Sequence, residues 1–284
     1  MNDKINTMIS NLQRFRINNK DVILEDDIVA VEEPLLVSIE HNNVITNFSL
    51  LMRTPGHDKA LVYGLLVSEG IISRNSDVDQ LVTESVDSKN GANQILVTLA
   101  QSVTFEPQSN SRQLPSYSAC GLCGKNSLQA LELKSKFPLK KVHSKLDSKF
   151  INNVVKQLSS QPLFASSGGA HVAGLIHEQG GVLLPDFAVY FEDVGRHNAL
   201  DKLIGHELIT NKLMQSGIVV LSGRVSFEMV QKSVMAGFSV ILALGAPTSL
   251  AIQAAKQFQV SLIGFAKKDG FNLYTADKTL INYA

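Results

Sequence analysis

The sequence predicts an α/β protein, α+β when the whole chain is considered, in which a larger C-terminal unit follows a smaller N-terminal one. From about residue 162, continuous apolar runs alternate with helical patterns, which is typical of a largely parallel sheet covered by helices. Before residue 120, strand-like runs surround a single helical pattern, as in a small α+β unit. The chain has 284 residues, of which 44% are apolar, so it can bury both cores.

The N-terminal half is predicted from apolar periodicity and from residues that begin or end helices. Residues 1–20 are polar and weakly patterned, so we expect a flexible arm. A helix should begin at Thr54, a good capping residue, and Pro55, which suits a first helical turn, and it should end near Gly70. Strand candidates cover residues 28–31, 35–41, 44–50, 80–86 and 94–100.

The C-terminal half follows a polar stretch over residues 101–118, which we expect to be a mobile connection. The predicted units are the arm 1–20, an N-terminal α+β domain 21–118, a mobile cysteine-containing loop with a helix 119–145, and an α/β domain 146–284. Strand candidates cover residues 171–176, 188–191, 217–221, 239–244, 260–265 and 271–274. Helix candidates cover residues 126–136, 147–158, 198–209, 226–236 and 248–258.

Charge and hydropathy argue against two classes of partner. Positive and negative residues balance to a net charge of zero, so broad attraction to nucleic acid or to an anionic membrane is not expected. The most apolar stretch, residues 234–252, is interrupted by Gly237, Gly245 and Pro247, which favours strand, turn and helix over a membrane span. The first residues lack the apolar core of a signal peptide, so we expect a cytoplasmic protein.

Polar clusters rich in small residues follow three strand candidates of the C-terminal half. In a parallel sheet the turns after the strands share one edge, where the ligands of open α/β sheets bind. Free N–H groups at helix N-termini, together with arginines, favour an anionic ligand such as a nucleotide or a phosphorylated cofactor. The alternative is that these residues only make tight turns and that the arginines are solvated. The clusters contain Asp193, Arg196, His197, Ser222, Gly223 and Arg224, followed by residues 245–248.

A further cluster lies before a strand candidate rather than after one. Gly168 and Gly169 lead into His171, the first residue of the strand candidate 171–176. A single histidine at such a position is more often structural than ligand-binding, and the same holds for His197 considered alone. His171 therefore stays a candidate that either contacts the ligand or braces the loop.

The two cysteines of the chain, Cys120 and Cys123, form a Cys-x-x-Cys pair flanked by glycines. A four-cysteine zinc site cannot form within one chain, and His143 lacks a second histidine at the spacing of a mixed site. A thioredoxin-like pair normally follows an apolar strand, whereas a polar stretch precedes Cys120. The other interpretations are an inert pair and a sulfur carrier. Lys125 and a nearby helix start favour the thiolate that a sulfur carrier needs.

Taken together, these stretches resemble the formate dehydrogenase accessory sulfurtransferase family, also called FdhD/NarQ. The resemblance covers roughly residues 30–276, and the run Asp-Val-Gly-Arg-His-Asn-Ala-Leu-Asp-Lys over residues 193–202 is its most specific part. Ser167 stands where the family usually has threonine, and it keeps the hydroxyl. The other matching stretches are residues 52–56, 68–72, 120–125, 168–171, 222–224, 246–248 and 264–265.

The resemblance implies a role for the cysteine pair and a ligand for the sheet edge. Members take sulfur from a cysteine desulfurase as a persulfide and pass it to the molybdenum bis(molybdopterin guanine dinucleotide) cofactor, which formate dehydrogenase requires. The resemblance also implies a homodimer and a cytidine-deaminase-like three-layer α/β/α fold for the C-terminal half; no structural metal is expected. Cys120 matches the persulfide-carrying position. Thiol chemistry, apart from the resemblance, leaves Cys123 to assist release of the sulfur, to receive it or to protect it. The cofactor-binding segment matches Phe265, Ala266, Lys267, Lys268, Asp269 and Gly270.

Two other functions stay open from the sequence. A zinc-dependent deaminase would need a His-x-Glu or Cys-x-Glu pattern and a proline directly before a Cys-x-x-Cys pair, and neither pattern occurs. A non-catalytic chaperone would bind the molybdenum cofactor without carrying sulfur. The cofactor-binding residues alone would satisfy that function, so the cysteine pair is what separates it from a sulfurtransferase.

Overall fold

The computed structural model describes residues 7–19, 21–84, 93–106, 136–213, 215–268, 270–276 and 280. Cys120, Cys123 and Asp269 lie outside these ranges, as does the helix predicted over residues 126–136 apart from its last residue. The predictions made for those residues therefore stay predictions.

An antiparallel hairpin of β1 (Ile9–Ile17) and β2 (Val22–Ala30) begins the described chain. The prediction of a flexible arm is therefore wrong for residues 9–17. The strand is stabilised by partners that single-strand patterning does not reveal: Phe15 lies opposite Leu24, and Arg14 forms an ion pair of 2.9 Å with Glu25 on the other face.

A four-stranded sheet forms most of the N-terminal half. Its strands are β3 (Glu33–His41), β4 (Val44–Arg53), β5 (Val78–Glu84) and β6 (Asn93–Leu99), in the order β4-β3-β6-β5. The central pair β3–β6 is parallel and the outer pairs are antiparallel. Alternate residues of β3, namely Leu35, Val37 and Ile39, are fully buried, as expected for a sheet with one face in the core.

Helix α1 (Asp58–Ser68) begins three residues later than the sequence predicts, with His57 in the cap position instead of Thr54. His57 precedes it in a left-handed conformation (φ 59°), and Thr54 lies before the helix instead of capping it. The backbone and hydroxyl groups of Thr54 bond to the C-terminal half instead, as described below.

The C-terminal half contains a seven-stranded sheet. Strand β7 pairs on one side with β10 and on the other with both β8 and β9, and the order continues from β10 through β11 and β12 to β13. Its strands are β7 (His171–Gln179), β8 (Val182–Leu183), β9 (Val189–Asp193), β10 (Gly217–Leu221), β11 (Val240–Ala243), β12 (Ser261–Lys267) and β13 (Gly270–Thr275).

This sheet is mixed, which corrects the expectation of a largely parallel one. Strands β10, β11 and β12 are parallel, whereas β7 and β13 run antiparallel to their neighbours. The connections to β8 and β13 are too short for the crossovers that parallel neighbours need. Strands β9 and β10 both run opposite to β7. The carboxyl ends of β9–β12 therefore lie beside the amino end of β7, and we call this row of strand ends one edge of the sheet.

Helices cover both faces of the sheet and make three α/β/α layers. Val219 and Leu221 of β10 pack on the side of α4 (Arg196–Ile209), α5 (Phe227–Met235) and α6 (Ser249–Gln257). Ile218 and Val220 pack on the side of α2 (Ser148–Ser159), which is followed by the short α3 (Pro162–Ser167). The layers agree with the expected architecture, while a specific relation to cytidine deaminases stays a prediction.

The two halves share one hydrophobic cluster because α1 packs directly on α4. A Cβ atom added to Gly64 would lie 1.8 Å from the carbonyl oxygen of Asp201, and one added to Gly205 would lie 1.9 Å from that of Ala60. Both positions therefore require glycine for the close approach of the two helix backbones. None of the helices in the described part of the chain has the length and apolar character to cross a membrane.

Candidate functional site

The polar turns predicted from the sequence meet at one edge of the seven-stranded sheet. His171 at the start of β7 is the strand partner of Asp193 at the end of β9. Ser222 follows β10, donates its N–H to the carbonyl of Val172 at 3.0 Å and accepts the Val172 N–H on its hydroxyl at 2.8 Å. The Phe265 N–H donates to the Gly245 carbonyl at 3.1 Å, so the turn after β11 joins the same edge.

Three cationic or titratable side chains surround the turn after β10. A Cβ atom added to Gly223 would lie 3.1 Å from His171 Nδ1 and 3.7 Å from Arg196 Cδ, so both side chains pack against this turn. Arg224, the next residue, is exposed. Gly245 packs closely behind, since its added Cβ would lie 2.5 Å from the Gly223 carbonyl oxygen. We call His171, Arg196 and Arg224 the cationic cluster.

The electrostatics of the cationic cluster favour an anion. Burial lowers the pKa of His171, and the charges of Arg196 and Arg224 lower it further, while Asp193 acts in the opposite direction. Within the described ranges, neither arginine forms an ion pair, and the buried Nε of Arg196 has no hydrogen-bond partner. A bound anion would offer acceptors to the exposed guanidinium group of Arg224 and would favour the protonated form of His171.

His197, the second residue of α4, contacts the N-cap and the second residue of α5. Its Nε2 is 3.2 Å from Glu228 Oε2 and 3.4 Å from the hydroxyl of Ser226. The N-terminal ends of α4 and α5 therefore lie side by side next to the cationic cluster. The Glu228 carboxylate can balance the charge of a protonated His197, so this histidine is less suited to an anion than His171.

Asp193 lies behind the site, not on its surface. It is fully buried and forms an ion pair of 2.7 Å with Lys202, which is also fully buried. Its oxygens further accept the Gly195 N–H at 2.8 Å, the Thr54 N–H at 3.1 Å and the Asn198 amide at 3.1 Å. These four protein groups satisfy the hydrogen-bonding capacity of the carboxylate. The predicted contact between Asp193 and a cofactor therefore does not fit its buried position.

Thr54, Asn198 and Lys202 are site-supporting residues that the sequence did not single out. Thr54 stands about 140 positions from Asp193 in the chain, and no local pattern pairs them. The one signal in the sequence that connects these residues is that the stretches 52–56 and 193–202 both match the family resemblance.

The glycines before β7 lie at the same edge as His171. Gly168 ends α3 in a left-handed conformation (φ 62°), and the Gly169 N–H donates to the Ser167 hydroxyl at 3.1 Å. Both glycines are exposed, so their backbone can be approached by a ligand. A Cβ added to Gly169 would lie 3.9 Å from Ala30, which places the base of the β1–β2 hairpin next to this turn.

Only part of the predicted segment 265–270 reaches the edge. Phe265 has a left-handed backbone (φ 54°) and is 41% exposed, so part of this residue is accessible beside the Gly245 turn. Ala266 is 1% exposed and packs in the core on the α2 side. Its side chain is therefore not available to a ligand, contrary to the prediction for this residue. Lys267, Lys268 and Gly270 are exposed further along the β12–β13 hairpin.

The pattern that defines the FdhD/NarQ family matches residues 30–281. The chain belongs to the FdhD/NarQ family. Two relatives named sulfur carrier protein FdhD illustrate the similarity. The protein from Sulfurisphaera tokodaii is 36% identical over 275 residues, covering 96% of this chain and 99% of the relative. The protein from Corynebacterium efficiens is 39% identical over 263 residues, covering 88% and 90% of the two chains.

A solved structure shares the fold. The crystal structure described as a formate dehydrogenase accessory protein from Desulfotalea psychrophila superposes with a TM-score of 0.71 at 23% identity, covering 96% of this chain and 99% of that one. The FdhD/NarQ match includes the cysteine pair, the cationic cluster and the Asp193–Lys202 pair, whereas most of the β1–β2 hairpin precedes its first residue.

Proposed function

We propose that this protein carries sulfur as a persulfide on Cys120 and delivers it to the molybdenum bis(molybdopterin guanine dinucleotide) cofactor for formate dehydrogenase. The family membership supports this function, since its relatives are named sulfur carrier proteins. The structural observation that carries the acceptor half of the proposal is the cationic cluster, whose positive groups lack acidic partners in the described chain.

The sulfur donor is a cysteine desulfurase that bears a persulfide. The Cys120 thiolate attacks the outer sulfur of the donor persulfide, the sulfur–sulfur bond of the donor breaks, and the donor thiolate leaves. Release follows when the Cys123 thiolate attacks Cys120 Sγ. A Cys120–Cys123 disulfide forms, and the outer sulfur leaves as hydrosulfide, which the molybdenum cofactor receives as substrate. Exchange with a cellular dithiol, which is itself oxidised to a disulfide, then restores both thiols.

The sheet edge is suited to the guanine dinucleotide part of the acceptor. Its pyrophosphate groups match the guanidinium groups of Arg196 and Arg224, since arginine binds phosphate through paired, charge-assisted hydrogen bonds. Gly223 allows close approach of the backbone because a side chain there would press on His171. The partly exposed Phe265 can supply an aromatic contact to a planar ring system.

The remaining parts of the proposal concern partners and setting. The protein acts as a cytoplasmic homodimer, receives sulfur from the desulfurase and serves formate dehydrogenase, without nucleic acid or membrane as a partner and without a structural metal. Its zero net charge is consistent with specific docking in preference to broad electrostatic association.

Mass spectrometry tests the carrier step. After incubation with a cysteine desulfurase and cysteine, the Cys120 peptide should gain about 32 Da, the mass of one sulfur added to a thiolate. The Cys120→Ala variant should show no adduct, while Cys123→Ala should accumulate it, because release is blocked. Absence of the adduct on wild-type Cys120 would contradict the carrier function.

A non-catalytic cofactor chaperone is the second candidate, and the cationic cluster favours it equally because binding requires no cysteine. The Cys120→Ala variant separates the two functions. A sulfurtransferase loses formate dehydrogenase maturation in this variant while it still binds the guanine dinucleotide cofactor. A chaperone keeps both.

A further inference from the structure

Two buried aspartate–lysine pairs lie where the N-terminal half meets α4. Asp193 pairs with Lys202 at 2.7 Å, and Asp201 pairs with Lys232 at 2.8 Å. All four side chains are less than a tenth exposed. The two pairs differ in what surrounds them, because only the first supports the turn that carries Arg196.

Thr54 completes the first pair from the N-terminal half. Its N–H donates to Asp193 Oδ2 at 3.1 Å, and its carbonyl accepts from Lys202 Nζ at 2.9 Å. Its hydroxyl accepts the N–H of Val194 at 3.1 Å. Thr54 is fully buried, so each of these bonds is made away from water and would leave an unpaired polar group if it were lost.

The same bonds hold the turn between β9 and α4. The Val194 N–H is held by Thr54, and the Gly195 N–H by Asp193. Asn198, one turn into α4, donates its amide to the Met52 carbonyl at 2.7 Å and to Asp193 at 3.1 Å. Two residues of the N-terminal half therefore fix the backbone from which Arg196 extends.

We propose that Thr54 is a positioning residue for the anion site: through Val194 and the Asp193–Lys202 pair it holds Arg196 against the Gly223 turn. The N-terminal half thereby completes a binding site whose contact residues all lie in the C-terminal half. This inference rests on the cationic cluster of the proposed function, and it assigns a role to the segment that joins β4 to α1.

The second pair provides a matched control within the same chain. Ser68, at the end of α1, is also buried and donates its hydroxyl to Asp201 Oδ1 at 2.7 Å. Lys232 donates to both oxygens of Asp201 at 2.8 and 2.9 Å. In the part of the chain that the structure describes, none of these bonds involves a residue of the cationic cluster.

The test compares Thr54→Val, Thr54→Ser and Ser68→Ala in the full chain. Titration calorimetry with inorganic pyrophosphate should show affinity weakened about tenfold in Thr54→Val, which corresponds to the loss of one buried hydrogen bond that positions a charged group. Thr54→Ser, which keeps the hydroxyl, and Ser68→Ala should stay within about twofold of wild type. Thermal midpoints should fall in both Thr54→Val and Ser68→Ala, since each loses a buried bond.

A second readout needs no ligand. In the NMR titration of the free protein, Thr54→Val should move the pKa of His171 towards its ordinary value as the charge of Arg196 moves away, with Arg224 and Asp193 still facing the ring. Ser68→Ala should leave it unchanged. The proposal is overturned if Thr54→Val lowers the thermal midpoint but alters neither pyrophosphate affinity nor the His171 titration. Failure of the wild type to bind pyrophosphate would instead overturn the proposed anion site, and the titration would still decide whether Thr54 positions Arg196.

Discussion

The two ends of the seven-stranded sheet carry similar residue types but differ in how their charges are paired. At the edge where β7 begins, the cationic cluster faces outward, and the nearest acid, Asp193, is neutralised behind it by Lys202. At the edge where β7 ends, His177 Nε2 lies 3.1 Å from Glu207 Oε2, and both groups are buried. A histidine at a strand end is therefore uninformative until its charged neighbours are known.

Lys140 shows how the second edge is closed. Its ammonium donates to the carbonyls of Leu213 and Ala236 and lies 5.8 and 5.2 Å from the ring centres of Phe137 and Phe238. Burial lowers the pKa of Lys140 to about 8, and the charge of Glu207 opposes that shift. The cation here is enclosed by acceptors, aromatic rings and a nearby acid, whereas Arg224 at the first edge is exposed. This difference in pairing agrees with the proposal that the first edge binds an anion, while the second contributes to stability.

The largest expected effect comes from breaking the pair that neutralises the first edge. Lys202→Met leaves the Asp193 carboxylate buried without a cation, which should reduce the free energy of unfolding by about 3–5 kcal/mol. Urea denaturation at neutral pH measures it. Glu207→Gln at the second edge should cost less, because the amide keeps the size of the side chain and adds no charge to this buried site. Equal losses in the two variants would contradict the contrast between the edges.

Removing a cation should affect ligand binding at one edge only. Arg224→Ala should weaken pyrophosphate binding by about 10- to 100-fold, since a hydrogen bond to a charged group contributes about 1.5–3 kcal/mol. Lys140→Met at the second edge should destabilise the fold but leave the affinity within about twofold. Calorimetric titration at low and high salt measures both variants. A comparable loss in Lys140→Met would mean that the anion is attracted by overall charge and not by the cluster.

Local patterns predict much of this architecture because they depend on near neighbours. The apolar run 217–221 predicts β10 with the bounds it has, since five apolar residues between polar turns fit a buried strand. Asp147 caps α2 by accepting the Phe150 N–H, within one residue of the predicted start. The strand-end argument also brings Arg196 and Arg224 to one edge of the sheet. His171 begins a strand and reaches that edge only because β7 runs antiparallel to β9 and β10, which the expected parallel sheet did not include.

The missed features depend on partners that lie outside the segment whose pattern was used. β1 has a polar sequence of its own and becomes a strand only through its pairing with β2. Thr54 is a good helix cap by type, yet its hydroxyl accepts from Val194 in the other half. By residue type and position Asp193 is a candidate ligand-binding acid, but Lys202 and Asn198 bond to its carboxylate in the folded protein. No local pattern contains these contacts.

The pH dependence of binding offers a finer test of the cationic cluster. Because the pKa of His171 is lowered, its ring is neutral at pH 7 in the free protein, and a bound anion should favour the protonated form. Pyrophosphate affinity should therefore rise a few-fold as pH falls from about 7.5 to about 5.5, with proton uptake on binding. His171→Gln should flatten this dependence. Calorimetry in buffers of different ionisation enthalpy measures the uptake, and an equally steep dependence in His171→Gln would assign it elsewhere.

The smallest expected effect concerns stability at the second edge. The folded-state pKa of Lys140, about 8, lies below its ordinary value of 10.5, so above pH 8 the unfolded chain binds more protons than the folded protein. The free energy of unfolding of wild type relative to Lys140→Met should therefore rise with pH above about 8, by well under about 1.4 kcal/mol per pH unit because the ammonium is partly exposed.

Glu207→Gln sharpens this measurement, because the Glu207 charge favours the protonated form of Lys140. Without that charge the pKa of Lys140 should fall further, and the rise in stability should begin at lower pH. Parallel denaturation curves across the pH range give the onset for each variant. An unchanged onset in Glu207→Gln would mean that the acid does not stabilise the cation, and acid pairing would then no longer distinguish the closed edge from the open one.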